Sequence, residues 1–173
     1  MEERAKNGIQ PNSEMDHTFI KKPLKVKIFK LEAVDYLEEG NNIQNEIMLI
    51  GFFDSAELCK LVETEYKTLP GFSSLSCKFE TTEYVFDLST QVDIGEVYYV
   101  QASKTNIQTT EEEVIEIGLF LTFEDAKNAE SVFLKKDDSC KLYGKTLQIS
   151  TYIDTYELNQ KHWQEGFSRY YWI

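Results

Sequence analysis

Two runs rich in β-branched, aromatic and aliphatic residues, Val26-Lys27-Ile28-Phe29-Lys30-Leu31 and Val97-Tyr98-Tyr99-Val100-Gln101, each read as a strand. A polar stretch follows each run, Tyr36 to Asn42 in the first case and Ser103 to Asn106 onward in the second, and predicts a hairpin with an extended tip. The returning strands end in Ile50-Gly51-Phe52-Phe53 and Ile117-Gly118-Leu119-Phe120, and both lead straight into a helical pattern. In the first helix Leu58, Leu61, Val62 and Tyr66 recur at the spacing of one helical face, behind an N-cap at Asp54 or Ser55. In the second, Thr122 with Asp125 marks the start, and Phe123, Ala126, Ala129 and Phe133 form a narrower stripe. Leu69-Pro70-Gly71-Phe72 closes the first helix with a turn, since Pro and Gly supply its backbone angles. Lys78 to Phe86 and Leu147 to Tyr156 alternate as strands with one apolar face each.

The order is thus β-β-α-β twice, and the residues agree as well as the order. Glu46 to Glu57 lies 67 residues before Glu113 to Glu124, and five of the twelve aligned positions are identical (Glu46/Glu113, Ile50/Ile117, Gly51/Gly118, Phe53/Phe120, Glu57/Glu124). The expected organisation is an N-terminal arm over 1–23, a first unit over 24–92 and a second over 93–173. About 65 residues per unit is marginal for a free-standing core, so the units are expected to fuse. The fold class is α+β, with one mainly antiparallel sheet of about six strands and both helices on one face.

Composition bears on function more than on fold. The 30 Asp and Glu against 18 Lys and Arg give a formal charge of -12, which disfavours nucleic acid and anionic membranes as partners. The arm carries four acidic and four basic side chains, so the whole excess falls on residues 24–173. No run of 18 apolar residues occurs and Met1 to Lys6 has no apolar core of a signal peptide, so the expected setting is the cytoplasm. Cys59, Cys77 and Cys140 are an odd number without a CxxC, and His17 and His162 are the only histidines. That pattern supplies no zinc spacing and predicts no metal or other cofactor. Phosphate-cradling glycine loops and the GxSxG elbow are missing as well.

The chain continues Tyr156-Glu157-Leu158 to His162-Trp163-Gln164-Glu165-Gly166-Phe167. Read from its residues, this segment is a turn in which Trp163 and Phe167 cover the core and Gly166 permits a tight exit. Together with Ile50-Gly51-Phe52 and Pro70-Gly71-Phe72, it resembles a small bacterial domain family of no established activity, here in two tandem copies. The first copy keeps the Pro-Gly-Phe turn and the second keeps the His-Trp-x-Glu-Gly-Phe segment. His162, Trp163, Glu165, Gly166 and Phe167 are then structural signature residues. The resemblance also implies a likeness in size and setting to small immunity-type proteins.

Three functional readings follow. The first is a non-enzymatic binding domain, in its most specific form an acidic immunity-type protein that neutralises a basic toxin, with Glu38, Glu39, Glu111, Glu112, Glu113 and Glu116 as partner contacts on corresponding hairpins. The second is an oligomeric or regulatory module, a homodimer for example, joined through the aromatic run Phe167 to Ile173. The third is an enzyme using His162 with Glu165, or Asp154 with Glu157, although no motif positions a nucleophile beside either pair.

Overall fold

The computed structural model describes residues 23–39, 42–73, 77–136 and 147–167, with the backbone alone for 36–39 and 42–45. Strands β1 (Leu24–Glu39), β2 (Asn42–Phe53) and β3 (Lys78–Leu88) form one antiparallel sheet in the order β2-β1-β3. Strands β4 (Glu96–Asn106), β5 (Glu112–Phe120) and β6 (Leu147–Glu157) form a second in the order β5-β4-β6. Helices α1 (Ala56–Tyr66) and α2 (Pro70–Ser73) stand between β2 and β3, and α3 (Phe123–Lys136) follows β5. The chain is therefore α+β and built of two β-β-α-β units, as expected. The single six-stranded sheet is replaced by two three-stranded sheets.

The two sheets have matching registers. Leu31 faces Gly51 and Val100 faces Gly118, and in each ladder the next pair skips one residue of the returning strand, Ile50 or Ile117. Such a bulge bends and twists a strand locally, and here it falls at the end that enters the helix. The hairpins are longer than the polar tips suggested. Tyr36 to Glu39 pair with Asn42 to Asn45, and β4 pairs through Thr105, because ladder bonds are made by the backbone and do not depend on apolar side chains.

Alternation along β1 sends its two faces to different partners. Phe29, Leu31 and Ala33 join Ile50 and Phe53 of β2 under Cys59, Val62 and Tyr66 of α1. Ile28, with Phe52, packs instead against Val97, Tyr99 and Leu119 of the second sheet. In the second sheet the face opposite Val97 and Tyr99 carries α3, through the Tyr98–Phe123 ring contact and the Thr151–Glu130 hydrogen bond. The layers thus run α1, sheet, sheet, α3. The helices lie on opposite outer faces, which corrects the expectation that they share one. The reason is physical: each sheet buries both faces, one under its helix and one against the other sheet, so edge-to-edge joining would leave the inner faces wet.

Local chemistry matches the helices. Ser55 caps α1, its Oγ accepting from Leu58 N at 3.2 Å, and Thr122 Oγ1 accepts from Asp125 N at 3.1 Å at the start of α3. The buried stripe of α1 is Cys59, Val62 and Tyr66, while Leu61 is 68% exposed. Stepping three and then four residues from Cys59 keeps to one face, and Leu61 lies two steps off it.

Residues 158–167 turn back from β6 across the first unit. Asn159 N and His162 N donate to Phe52 O and Ile50 O, both at 2.8 Å, so this strap occupies the edge of β2 that β1 leaves open. Lys161 Nζ pairs with Glu65 at 2.6 Å, and the Tyr66 hydroxyl donates to His162 O. The strap ends with Gly166 against Gly71 and with the Phe167 ring 5.6 Å from that of Phe72. A Cβ on Gly71 would lie 2.6 Å from Gly166 Cα, and Gly166 has φ +90, so neither position accepts a side chain. The Pro-Gly-Phe turn of one unit and the His-Trp-x-Glu-Gly-Phe segment of the other are the two parts of a single contact.

Candidate functional site

Between the sheets the inner faces meet at Ile28, Phe52 and Tyr99 and diverge beyond them, leaving an open cleft of about 850 Å3. Its polar floor is built around Lys30. This residue follows Phe29 on β1 and so points at the second sheet, where it is only 5% exposed. Its Nζ lies 2.6 Å from Glu116 Oε2, 3.0 Å from Glu32 Oε2 and 3.1 Å from the Tyr99 hydroxyl. Three acceptors match the three ammonium protons. Glu116, from β5, is fully occupied as well: Oε2 also accepts from Tyr99 Oη at 2.7 Å, and Oε1 accepts from Tyr84 of β3.

The electrostatics follow from this sharing. Burial by itself would lower the Lys30 pKa, but the bond to Glu116 and the charge of Glu32 outweigh it and raise it, so the ammonium stays charged. Burial would likewise raise Glu116, yet the bonds from Lys30, Tyr84 and Tyr99 hold it below the ordinary carboxylate value. Glu32 has the opposite fate. Desolvation pushes its pKa up despite Lys30, and the charges of Glu116 and Glu80 add to the rise. Tyr84 and Tyr99 are both raised, first by burial and then by bonding to Glu116, so their hydroxyls remain donors.

The walls of the cleft are Ile47 and Leu49 of β2, Val114 of β5 and Tyr156 of β6, with Trp163 of the strap at its border. Trp163 is 56% exposed and holds φ +54, in the left-handed region that a bulky residue seldom occupies. The bond from His162 N to Ile50 O fixes the residue before it. The His162 ring stands edge-on to Tyr156 at 5.4 Å, and its Nε2 is buried with no hydrogen-bond partner among the described residues.

Of the sequence candidates, Glu116 and Trp163 line this cleft. Glu112 sits two pairing positions from Val114 on the inner side of β5 and accepts from Ser103 Oγ. Glu113 faces Lys104 across the ladder, and Glu111 ends the β4–β5 turn, where it accepts from Thr109 Oγ1 at 2.9 Å. Together with Lys104, Asn106 and Leu147 these three carboxylates border a second, shallower concavity of about 340 Å3. Glu38 and Glu39 end β1 in the other sheet, and their side chains lie outside the described residues. Glu165 is exposed, whereas Gly166 and Phe167 are buried. Phe167 therefore belongs to the core of the first unit and not to an exposed aromatic tail; residues 168–173 lie outside the described residues, as do 1–22 and Cys140.

Lys30, Glu32, Tyr84 and Tyr99 were not singled out by the sequence. Lys30 and Glu32 flank apolar Leu31, and such alternation marks the polar face as solvated; the second sheet is what makes it internal. Among the described residues no group of three or more His, Cys, Asp or Glu is set to hold a metal ion, and no helix is long and apolar enough to cross a membrane. Compared with family models, curated proteins and solved structures, the chain matches none.

Proposed function

We propose that the chain is a non-enzymatic protein-binding domain that docks a basic partner on the β4–β5 hairpin, acting in the cytoplasm and, in its most specific form, as an immunity-type protein against a basic toxin. The observation that carries this reading is the concavity bordered by Glu111, Glu112 and Glu113 at the end of the second sheet. All three residues are exposed, and Lys104 is the cation among its lining side chains. An acidic recess of this kind attracts lysine and arginine side chains over a distance set by the ionic strength, which speeds encounter and penalises acidic competitors. The chain's excess of carboxylates extends that field beyond the hairpin.

The test is binding of a basic toxin domain encoded beside this chain's reading frame, by the full chain and by the E111K/E112K/E113K triple variant. Affinity is expected to fall at least about 100-fold on charge reversal and about tenfold between 50 and 500 mM salt. Binding indifferent to both would overturn the hairpin as the docking surface.

A further inference from the structure

The inter-sheet cleft is separate from that hairpin concavity, and its chemistry is more specific. We infer that it is a binding site for a small organic cation, an ammonium or guanidinium group carried on an apolar body. Three independent features converge on this ligand class.

The first is charge. Lys30 is the one cation among the lining residues, and Glu32 and Glu116 pair with it. Because Lys30 is already shared between Glu32 and Glu116, it is neutralised in place and the trio keeps an excess of one negative charge. Glu32 is the carboxylate that this arrangement satisfies least, being largely desolvated with one ammonium partner that it shares. An incoming cation would supply the missing countercharge, whereas an anion would meet two carboxylates.

The second is Trp163. A large apolar side chain that is more than half exposed, on a residue held at positive φ, costs free energy twice over, once in the backbone and once in hydration. The strap hydrogen bonds fix that conformation at the border of the cleft. An indole so placed, with Tyr99 and Tyr156 also in the lining, offers π-faces to a cation, and attraction of this kind strengthens where water is excluded.

The third is size and apolarity. A volume of about 850 Å3 lies within the range of small-molecule sites and far exceeds what one lysine or arginine side chain fills. Ile47, Leu49 and Val114 supply an apolar wall for the body of the ligand. The occupant is therefore a free amphipathic cation, with its charged end toward Glu32 and its apolar part along β2 and β5.

The experiment uses the full chain with Trp172→Phe, which leaves Trp163 as the sole indole of the two in the sequence. Three isosteric probes, 4-phenylbutylamine, 4-phenylbutanol and 4-phenylbutyrate, are titrated at pH 7 while Trp163 fluorescence and backbone amide shifts are followed. The amine is expected to saturate with a Kd of about 1 mM or tighter, as its size allows, and at least about tenfold below that of the alcohol or the acid. Shifts should map to Leu49, Gln101 and Val114. The exposed Val114→Arg, which places a fixed guanidinium at the cleft, should weaken the amine about tenfold or more without changing the circular dichroism spectrum. Equal binding of amine and alcohol, shifts that map elsewhere, or an amine indifferent to Val114→Arg would each overturn the site. A cleft that receives only a partner protein's basic side chain would give no saturable binding of the free amine, which would overturn it too.

Discussion

Lys30 shows how far one side chain can be set by its surroundings. A lysine at that depth costs several kcal/mol of hydration, and it persists because two carboxylates and a tyrosine take all its protons. Removing it harms more than the pair is worth in itself, because Glu32 and Glu116 stay behind, close together, with Glu32 largely withdrawn from water. Lys30→Met is expected to cost about 3–5 kcal/mol at pH 7 in urea denaturation. The cost should shrink toward pH 4.5. In the wild type, Glu116 has a lowered pKa, so its contribution is present above the unfolded carboxylate value and lost as pH falls through the folded one. Without Lys30 both carboxylates titrate upward, so acid relieves the variant on the way to pH 4.5, whereas the wild type loses the Glu116 contribution only below that value. An equal cost at both pH values would show that Lys30 acts through packing and not through charge. None of this was legible in the sequence. The strand around Lys30 is plain from its β-rich run, but a polar residue in an alternating strand carries no mark that distinguishes a solvated face from one covered by a second sheet.

Among the elements, α1 is the most instructive, since its N-cap is legible in the sequence and its buried face lies part of a turn from the one that the apolar spacing suggests. Ser55 supplies the cap that the residue type suggests, and Tyr66 and Val62 are buried as the pattern requires. Leu61 was included because leucine is apolar, yet the helix phase is set by Cys59, a small side chain that fits close to the sheet. Its thiol is pushed up to about 11, by burial first and then by the charge of Asp54, so it behaves as a packing group. Two substitutions one position apart measure the phase. Leu61→Gln should change the unfolding free energy by no more than about 0.5 kcal/mol, whereas Val62→Ala should cost about 1–3 kcal/mol. Comparable losses at both positions would contradict the orientation of the helix. The hairpin ends escape the sequence pattern for a related reason: polar composition suggests a loop, but ladder bonds depend on the backbone and tolerate polar side chains.

At the scale of the molecule, the two β-β-α-β units were legible from the agreement of Glu46 to Glu57 with Glu113 to Glu124, and the bulges at Ile50 and Ile117 give that agreement a geometric counterpart. Their mutual arrangement was not. Whether sheets join edge to edge or face to face depends on which edges are already taken, and the edge of β2 is taken by residues 158–163, whose sequence reads only as a turn. The Gly71–Gly166 contact fastens this strap. Replacing either glycine by alanine should cost about 2 kcal/mol or more, since a Cβ collides with backbone at Gly71 and is strained at Gly166. Amide hydrogen exchange is the discriminating measurement: Asn159 and His162 should lose protection together, and the β4–β6 ladder should keep it. Loss of protection spread evenly over both sheets would mean that the contact holds the whole molecule and not the strap.

The same strap imposes an order on synthesis. The first unit leaves the ribosome with its helices and all three strands, yet Phe167, which completes its aromatic cluster with Phe72, is among the last described residues to be made. Throughout translation of the second unit, the nascent first unit therefore carries an unfilled core and an unpaired β2 edge, both of which invite association with other nascent chains. Maturation of the first unit is thereby timed by synthesis of the strap, and its core closes only after the second unit has been made.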